Sequence, residues 1–277
     1  MKRARPRSGI HWLLYLMLVV AALSFIYPFV WMVMATLKPE AEVAGLSLWP
    51  SRFILDHYRA VFQKIPLGRA FVNSVFVATT VTALALVFSS ITGYALAKLQ
   101  FRGRELVFSV ILFTMMLPFQ ITLIPMYIMM VNFGWLNTYQ ALIVPGMISA
   151  FGILILRQSF LSIPQDLLDA ARIDGCSELR IIFQVVWPLS KPALITVGLI
   201  TFMNSWNDVL WPIIVMRDRD MMTMPQAVAL FAVGGQADAQ MGTILAAATL
   251  LGLPIIAAYL FLQRHFIASM ASSGLKT

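Results

Sequence analysis

The feature that most constrains this sequence is a set of long intervals that contain no Asp, Glu, Lys or Arg. They lie between Arg7 and Lys38, between Arg69 and Lys98, between Glu105 and Arg157, and between Asp238 and Arg264. A helix needs roughly 20 predominantly apolar residues to cross a bilayer, and each interval is long enough. The third can hold two helices, divided by the polar stretch 132–140, and a further apolar stretch at 192–216 is interrupted only by Asp208. The pattern predicts six transmembrane helices in an all-α integral membrane protein.

Composition also argues against a soluble domain. The chain has 277 residues, of which 60% are hydrophobic and 12% charged, whereas ordinary globular domains carry roughly 25% charged residues. The first apolar stretch runs from Trp12 to Ala35, which exceeds the roughly 7 to 15 residues of a signal-peptide core. We therefore expect an uncleaved first transmembrane helix.

The basic residues indicate topology. The net charge of +8 arises from residues at the ends of the apolar stretches and not from one basic stripe, so nucleic acid is not an expected partner. Thirteen of the twenty lysines and arginines fall on the side of the N-terminus and seven on the other. By the positive-inside rule both termini are predicted to be cytoplasmic. The predicted organisation is a cytoplasmic N-terminus (1–11), a transmembrane domain (12–263) and a cytoplasmic tail (264–277).

Prolines fall inside five of the six predicted spans, at Pro28, Pro118, Pro125, Pro145, Pro212 and Pro254. Each lacks a backbone N–H and tends to kink a helix. In lipid a kink is tolerated where neighbouring groups or water satisfy the carbonyl that it leaves unpaired. The spans are therefore predicted to bend.

The predicted cytoplasmic segment 162–191 is charged, although it joins two apolar spans. Ser162 and Pro164 mark a helix start, and Asp166 lies in the first turn, where an acidic residue is favoured. Gly175 occupies a position typical of a left-handed helix end. These signals predict a helix of about three turns, with Leu167, Leu168 and Ala171 forming a small apolar face.

A second helix is predicted to follow, over "ELRIIFQVVW", with Ser177 as its cap. Its apolar residues recur at helical spacing, at Leu179, Ile182, Phe183 and Val186. This stripe predicts a helix lying against the membrane or the floor of the bundle, before Pro188 and Pro192 interrupt the chain. The segment is either a solvated connector or a docking surface. Two apolar faces and a glycine joint favour docking.

The same segment, "DAARIDGCSELRIIFQVVWPLSKP", resembles the EAA loop of the inner-membrane permease subunits of binding-protein-dependent ABC importers. The matching residues are Ala170, Ala171, Asp174, Gly175, Phe183, Pro188 and Pro192. Asp169 stands where glutamate is usual, Cys176 where alanine is common and Trp187 where leucine precedes the proline. The stretches "KPEAEV", "GYALAKLQFRGR", "MLPFQITLIPMYIMM" and "NSWNDVLWP" resemble the maltose-type carbohydrate permease branch, so the resemblance covers nearly the whole chain.

The resemblance implies the six-helix fold of a type I ABC importer permease in the bacterial inner membrane, importing a sugar or related polyol. It implies a second homologous permease, two ATP-binding subunits and an external solute-binding protein as partners, with ATP and Mg bound by the ATP-binding subunits and no cofactor in this chain. It also implies that the first helix of the loop is a coupling helix that contacts the ATPase. The residues implied are Leu167, Leu168, Asp169, Ala170, Ala171, Arg172, Asp174 and Gly175. The two alanines permit close approach, and the charged residues are expected to pair with charges at the rim of that contact.

The chain offers no enzymatic or metal site. A nucleotide-binding P-loop needs a Gly-Lys pair, and none of the fifteen glycines is followed by lysine. His11, His57 and His265 are scattered, and Cys176 is the single cysteine. We therefore expect no catalytic residue and no metal ligand, and the energy for transport must come from a partner.

Polar residues at membrane depth are functional candidates. The candidates for a substrate path are Asn204, Trp206, Asn207, Asp208 and Trp211, with Gln120 and Asn73 as further candidates. Amides and a carboxylate suit sugar hydroxyls, and aromatic rings suit the apolar faces of a sugar. Alternatively, Asn204 and Asn207 hydrogen-bond between helices and Asp208 lies among lipid headgroups.

A rival hypothesis is an autonomous ion-coupled secondary transporter. Such proteins are built from paired or repeated halves, with ion and substrate sites near the bilayer midplane. No internal repeat is visible in this sequence, and Asp208 is alone and predicted to lie near one membrane surface. The importer subunit is therefore the favoured hypothesis.

Overall fold

The computed structural model describes residues 8–45, 47–234 and 240–273, and every regular element in these ranges is helical. In chain order the α-helices are α1 Ser8–Ala35, α2 Glu40–Val43, α3 Asp56–Lys64, α4 Leu67–Lys98, α5 Arg104–Thr114, α6 Phe119–Asn132, α7 Tyr139–Ile143, α8 Ala150–Leu161, α9 Gln165–Ile173, α10 Glu178–Ile181, α11 Trp187–Leu189, α12 Lys191–Trp206, α13 Leu210–Val215, α14 Met224–Val233 and α15 Met241–Ser273. Short 3-10 turns occur at Val144–Gly146 and Arg219–Met221, and a π turn at Ile182–Val186. The expected basic residues at 2–7 and the last four residues of the predicted tail lie outside the described residues.

The chain divides into two compact units, and the first contains residues up to 65 together with 230–253. Here Glu40 accepts hydrogen bonds from the backbone N–H groups of Met241 (2.6 Å) and Gly242 (3.0 Å) at the start of α15. The buried His57 ring lies beside this cap, with Nε2 2.9 Å from the carbonyl oxygen of Lys38. Glu40 of α2 therefore satisfies two of the backbone donors at the start of α15.

The second unit contains residues 66–229 and those from 254 onward, and its centre is the packing of α4 against α8 and α12. Small residues permit this close approach. A Cβ added to Gly93 of α4 would lie 3.1 Å from the backbone N of Arg157, and one added to Gly152 of α8 would lie 2.6 Å from Ser89 Oγ. The two helices therefore meet at glycines that have no room for a side chain.

The described helices include two that are long and apolar enough to span a membrane, within α1 and as α4. Three bent pairs qualify when each pair is taken together: α5 with α6, bent by 97°; α7 and its 3-10 turn with α8, bent by 40°; and 178–189 with α12, bent by 94°. Pro118 lies at the first bend and Pro145 in the 3-10 turn just before the second, whereas the other predicted prolines lie inside helices, at Pro28, Pro125, Pro212 and Pro254. The last apolar helix is α15, which has 33 residues.

The predicted hairpin at 132–140 is present between α6 and α7. Gly134 (φ 68°) and Asn137 (φ 57°) have left-handed backbone conformations there, which glycine and asparagine tolerate best. The predicted span 192–216 differs from expectation, because the chain leaves the helix at Asn207 and re-enters it at Leu210. Non-helical backbone at membrane depth is tolerated where it is buried in protein or lines a cavity.

Candidate functional site

The first feature of the candidate site is α9, which ends in a Schellman motif. Gly175 has φ 81°, the backbone N–H of Cys176 donates to Ala171 O (3.0 Å), and that of Gly175 donates to Arg172 O (3.0 Å). These two bonds satisfy carbonyls that the helix end would otherwise leave unpaired. The predicted left-handed turn at Gly175 is confirmed.

The apolar residues of α9 face two ways. Leu168 is fully buried (0% exposed), and the half-buried Ala171 packs against the same cluster. Leu167 is exposed, as is Ala170 one turn later, and Ile173 is 86% exposed. The single apolar face predicted for Leu167, Leu168 and Ala171 is therefore wrong, because Leu167 lies on the outer face with Ala170 and Ile173.

Ile173 is a candidate contact residue that sequence reasoning missed. The three-residue spacing of Leu167, Ala170 and Ile173 is the signal that would have identified it. Together with Leu167 and Ala170, Ile173 forms an exposed apolar patch on α9, and exposed apolar patches mark sites of protein interaction. We name Leu167, Ala170 and Ile173 the outer face of α9.

Asp169 and Arg172 of α9 pair within the chain. The Arg172 guanidinium contacts Asp169 (Nη1–Oδ1 2.6 Å) and Glu178 (Nε–Oε1 2.8 Å). Its hydrogen bond lowers the pKa of the Glu178 carboxyl below its ordinary value, so Glu178 is ionised at neutral pH. Within the chain, Arg172 pairs with Asp169 inside α9 and with Glu178 across the Gly175 turn. The predicted pairing of Asp169 and Arg172 with charges on a partner stays a prediction.

The second helix of the loop is less regular than predicted. Ser177 caps it as expected, with its Oγ accepting from the backbone N–H of Arg180 (3.4 Å). Helix α10 then continues through the π turn into α11, so the predicted single helix is present over Glu178–Leu189 with a π turn inside it. Of the predicted stripe, Ile182 and Val186 are buried and Leu179 and Phe183 are exposed. The sharp bend follows at Ser190, between the two predicted interrupting prolines.

Three side chains at the end of α4 hold the loop in place. Ser90 Oγ accepts from Trp187 Nε1 (2.9 Å), the Tyr94 hydroxyl donates to Glu178, and Lys98 Nζ donates to Ile163 O (2.6 Å). They are spaced four residues apart and therefore share one face of α4. We call Ser90, Tyr94 and Lys98 the α4 ladder.

Apolar packing reinforces the α4 ladder. The buried ring of Tyr94 belongs to a cluster that takes Leu168 from α9 and Val186 from the π turn, together with Phe160 of α8. Burial of large apolar side chains stabilises by about 1.5–3 kcal/mol each. The loop is therefore attached to the bundle by polar and apolar contacts together.

The second feature of the candidate site is a polar cavity of about 360 Å³ within the second unit. Its lining includes polar or aromatic side chains from α6, from the N-cap of α8, from α12 and α13 and from the break between them. The residues that line it are Val81, Phe119, Met126, Leu142, Pro145, Gly146, Ile148, Ser149, Thr201, Asn204, Ser205, Asp208 and Trp211. Of the predicted substrate-path residues, Asn204, Asp208 and Trp211 lie here together.

Asp208 and Trp211 are fixed at the break between α12 and α13. The Asp208 carboxylate accepts from the backbone N–H of Trp211 (3.3 Å). The Trp211 indole donates to Ala141 O (2.8 Å), and its ring meets that of Phe119 edge to face, with centroids 6.2 Å apart. The break therefore places a carboxylate and an aromatic ring in the cavity wall.

The other predicted path residues lie outside the lining of this cavity. Asn73 is buried, donates to Asp220 O (2.8 Å) and Met222 O (2.9 Å), and accepts from the Tyr139 hydroxyl (2.8 Å). Trp206 is buried between Phe71 and Phe202.

Asn207 and Gln120 are exposed. The Asn207 amide donates to Met203 O one turn earlier (2.8 Å). That bond is local to its own helix, whereas the three bonds of Asn73 tie separate parts of the second unit together. Asn73 therefore has a structural role in holding the α4 end of the second unit.

Comparison with known proteins identifies the family. Residues 85–272 match the family model described as "Binding-protein-dependent transport system inner membrane component". The chain belongs to this family. The match includes the α4 ladder, the loop and the polar cavity except Val81, and it shows an inner membrane protein, as the apolar helices indicate.

Relatives of full length support the family membership. The arabinooligosaccharides transport system permease protein AraQ of Halalkalibacterium halodurans is 35% identical over 272 residues, covering 96% of each chain. The lactose transport system permease protein LacG of Rhizobium radiobacter is 33% identical, covering 94% of each. A solved bacterial ABC transporter that imports the acidic polysaccharide alginate has a chain with a TM-score of 0.81 at 26% identity, covering 96% of this chain and 99% of that one. The predicted all-helical permease fold is confirmed.

Proposed function

We propose that this permease is the membrane subunit through which an ATP-driven importer moves a carbohydrate delivered by an external solute-binding protein. The family match carries this conclusion, and the saccharide transporters among its relatives give the substrate class. The relatives named for arabinooligosaccharides and lactose support a neutral saccharide, and the alginate importer supports an acidic one. The proposed substrate is therefore a sugar or a related polyol.

Six membrane spans are proposed, formed by α1, α4, the α5–α6 pair, the α7–α8 pair, α12 with α13, and α15. Both termini are then cytoplasmic, and 162–191 is a cytoplasmic loop. The positive-inside distribution of lysine and arginine supports this orientation. The proposed boundaries of the transmembrane domain remain 12 and 263.

The outer face of α9 is the proposed contact with an ATP-binding subunit. Its exposed Leu167 and Ile173 offer apolar area to a groove, and Ala170 between them allows close approach. Asp174 and Gly175 are exposed at the same helix end. The other predicted contact residues hold α9 in position. Leu168 and Ala171 pack on the bundle, and Arg172 pairs with Asp169 and with Glu178.

The proposed assembly contains this chain, a second homologous permease, two ATP-binding subunits and the solute-binding protein, in a lipid bilayer. ATP and Mg are proposed to bind only to the ATP-binding subunits, and this chain is proposed to need no cofactor and to catalyse no reaction. The absence of a Gly-Lys pair in the sequence supports that division of labour.

Reconstitution of the complex in proteoliposomes tests the proposal. We expect saccharide uptake that requires the solute-binding protein, the second permease, the ATP-binding subunits and ATP. Uptake by this chain alone in response to an ion gradient would refute the importer and favour the ion-coupled alternative. The variant Ile173→Ser tests the proposed contact of α9. It is expected to weaken copurification of the ATP-binding subunits while leaving membrane insertion intact.

The cavity is the proposed contribution of this chain to the substrate path. Replacing Asn204 by alanine is expected to change the KM or rate of uptake, because Asn204 lines the cavity. The same replacement at Asn207, which is exposed outside the cavity lining, is the matched control. Equal effects at the two positions would argue against a substrate contact at Asn204.

A further inference from the structure

The polar cavity carries a single charged residue. The segments that contribute its lining are 70–97, 106–156 and 192–216, and Asp208 is their only Asp, Glu, Lys or Arg. No lysine or arginine in this wall can therefore neutralise the Asp208 carboxylate or pair with an acidic ligand. Binding sites for carboxylate or phosphate groups usually present arginine, lysine or several backbone N–H groups to the anion.

The remaining polar groups suit uncharged hydroxyls. Thr201, Asn204, Ser205 and Ser149 provide hydroxyl and amide groups, which both donate and accept hydrogen bonds. The Phe119 ring, which packs edge-on against Trp211, provides apolar surface beside them. A neutral saccharide presents both kinds of surface, with hydroxyls at its edges and C–H groups on its faces.

We propose that this cavity accepts the neutral, hydroxyl-bearing part of a saccharide and excludes anionic substrates such as uronate- or phosphate-bearing sugars. The inference rests on the proposed function and narrows its substrate class. A second negative charge brought within about 5 Å of a partly dehydrated carboxylate is repelled strongly enough to reduce occupancy by about ten-fold or more. The alginate importer, which carries an acidic polysaccharide, is the contrasting case.

Asp208 also has a local structural role, and the test separates it from the charge. The carboxylate accepts from the backbone N–H of Trp211, a bond that an asparagine side chain can also accept. Asp208→Asn therefore removes the charge and keeps the helix cap. Asp208→Ala removes both the charge and the cap. An effect seen in Asp208→Ala but not in Asp208→Asn therefore comes from the cap.

The experiment measures the charge preference of the cavity without knowledge of the substrate. In a Cys176→Ser background, which removes the single native cysteine, Asn204→Cys places a thiol in the cavity wall. The purified complex with its partner permease and ATP-binding subunits is treated with trimethylammonium-ethyl, hydroxyethyl or sulfonatoethyl methanethiosulfonate. Each modification rate is divided by the rate of the same reagent with a small thiol in solution.

We expect the cationic reagent to modify the residue 204 thiol about ten-fold or more faster than the anionic reagent after this correction. Adding Asp208→Asn is expected to remove most of that preference. A thiol introduced at Ser162, which is exposed in the loop, is the control, and its preference is expected not to respond to residue 208.

Two results would overturn the inference: a preference at residue 204 that Asp208→Asn leaves unchanged, or no reaction there with the neutral reagent. Saccharide uptake by the wild-type complex is measured in parallel. If uptake depends on ATP but Asp208→Asn leaves the reagent preference unchanged, only the exclusion of anionic substrates is refuted. If Asp208→Asn removes the reagent preference but the wild-type complex shows no ATP-dependent uptake, the proposed importer is refuted.

Discussion

Replacement of Tyr94 by phenylalanine tests whether the loop at 162–191 moves together with α4. The hydroxyl of Tyr94 is the middle rung of the α4 ladder and donates to Glu178. The ring itself is 1% exposed and packs in the apolar cluster beneath α9. Tyr94→Phe therefore removes the bond to Glu178, and also the longer one that the hydroxyl accepts from Arg172 Nη2 (3.4 Å), and leaves the packing in place.

The structure sets the size of the expected effect. A hydrogen bond to a charged group contributes about 1.5–3 kcal/mol net. Glu178 keeps its contacts with Arg172, at 2.8 Å and 3.2 Å, and its side chain is 42% exposed. The carboxylate is therefore not left unpaired, and the loss lies near the lower end, about 1.5 kcal/mol. This corresponds to about a ten-fold shift toward a loop detached from α4.

The measurement is the number of ATP molecules hydrolysed for each saccharide molecule taken up by proteoliposomes. We expect this ratio to rise several-fold in Tyr94→Phe while ATP hydrolysis continues, because the ATP-binding subunits still move a loop that no longer moves α4. Tyr58→Phe is the matched control, since its hydroxyl bonds to Thr36 in the first unit (2.8 Å). An unchanged ratio in Tyr94→Phe, and in a double variant with Ser90→Ala, would refute the role of the α4 ladder.

Three further predictions follow from single residues. Gly175→Val is expected to uncouple ATP hydrolysis from uptake, because a left-handed conformation costs a β-branched residue at least about 1–2 kcal/mol. Gly175→Asn is expected to stay coupled, because asparagine tolerates that conformation. Equal coupling in the two variants would contradict the role of the left-handed turn at Gly175. Asn73→Ala is expected to destabilise the complex by about 1–3 kcal/mol, measured by thermal unfolding, without changing the KM for uptake. A changed KM with unchanged stability would instead support a contact between Asn73 and the substrate. Gly242→Ala is expected to lower the thermal stability, since the added Cβ would overlap the His57 ring, whereas Gly252→Ala in the same helix meets nothing within 4 Å and is expected to be tolerated.

Local signals in the sequence were sufficient for much of the loop. A glycine after a short amphipathic run predicts a left-handed end, and Gly175 has that conformation because a side chain would be strained there. Ser177 caps the next helix for the equally local reason that its hydroxyl reaches the backbone N–H three residues later. Such features depend on a few neighbouring residues, and these are visible in any single sequence.

Contacts between distant residues were not predictable in the same way. Glu178 lies 84 residues from Tyr94 in the chain, and nothing near either residue indicates that they meet. The same limit applies to the outer face of α9, because helical spacing alone does not determine which side of a short helix packs on the bundle. Leu167 and Leu168 are equally apolar neighbours, and only the cluster beneath Leu168 distinguishes them.

The position of α4 joins the two parts of the candidate site. Val81 of α4 lines the polar cavity, and the α4 ladder begins nine residues later in the same uninterrupted helix. At about 1.5 Å per residue, Val81 and Tyr94 are about 20 Å apart along the helix axis. A continuous helix packed through glycines on α8 resists bending, so we expect a displacement of α9 at one end to tilt the cavity wall at the other. The spans adjacent to the loop in sequence bend at Ser190 and between Gly146 and Ala150, and we expect them to transmit a push less directly. We infer that α4, which is remote from the loop in sequence, carries most of the force between the proposed ATPase contact and the proposed substrate path.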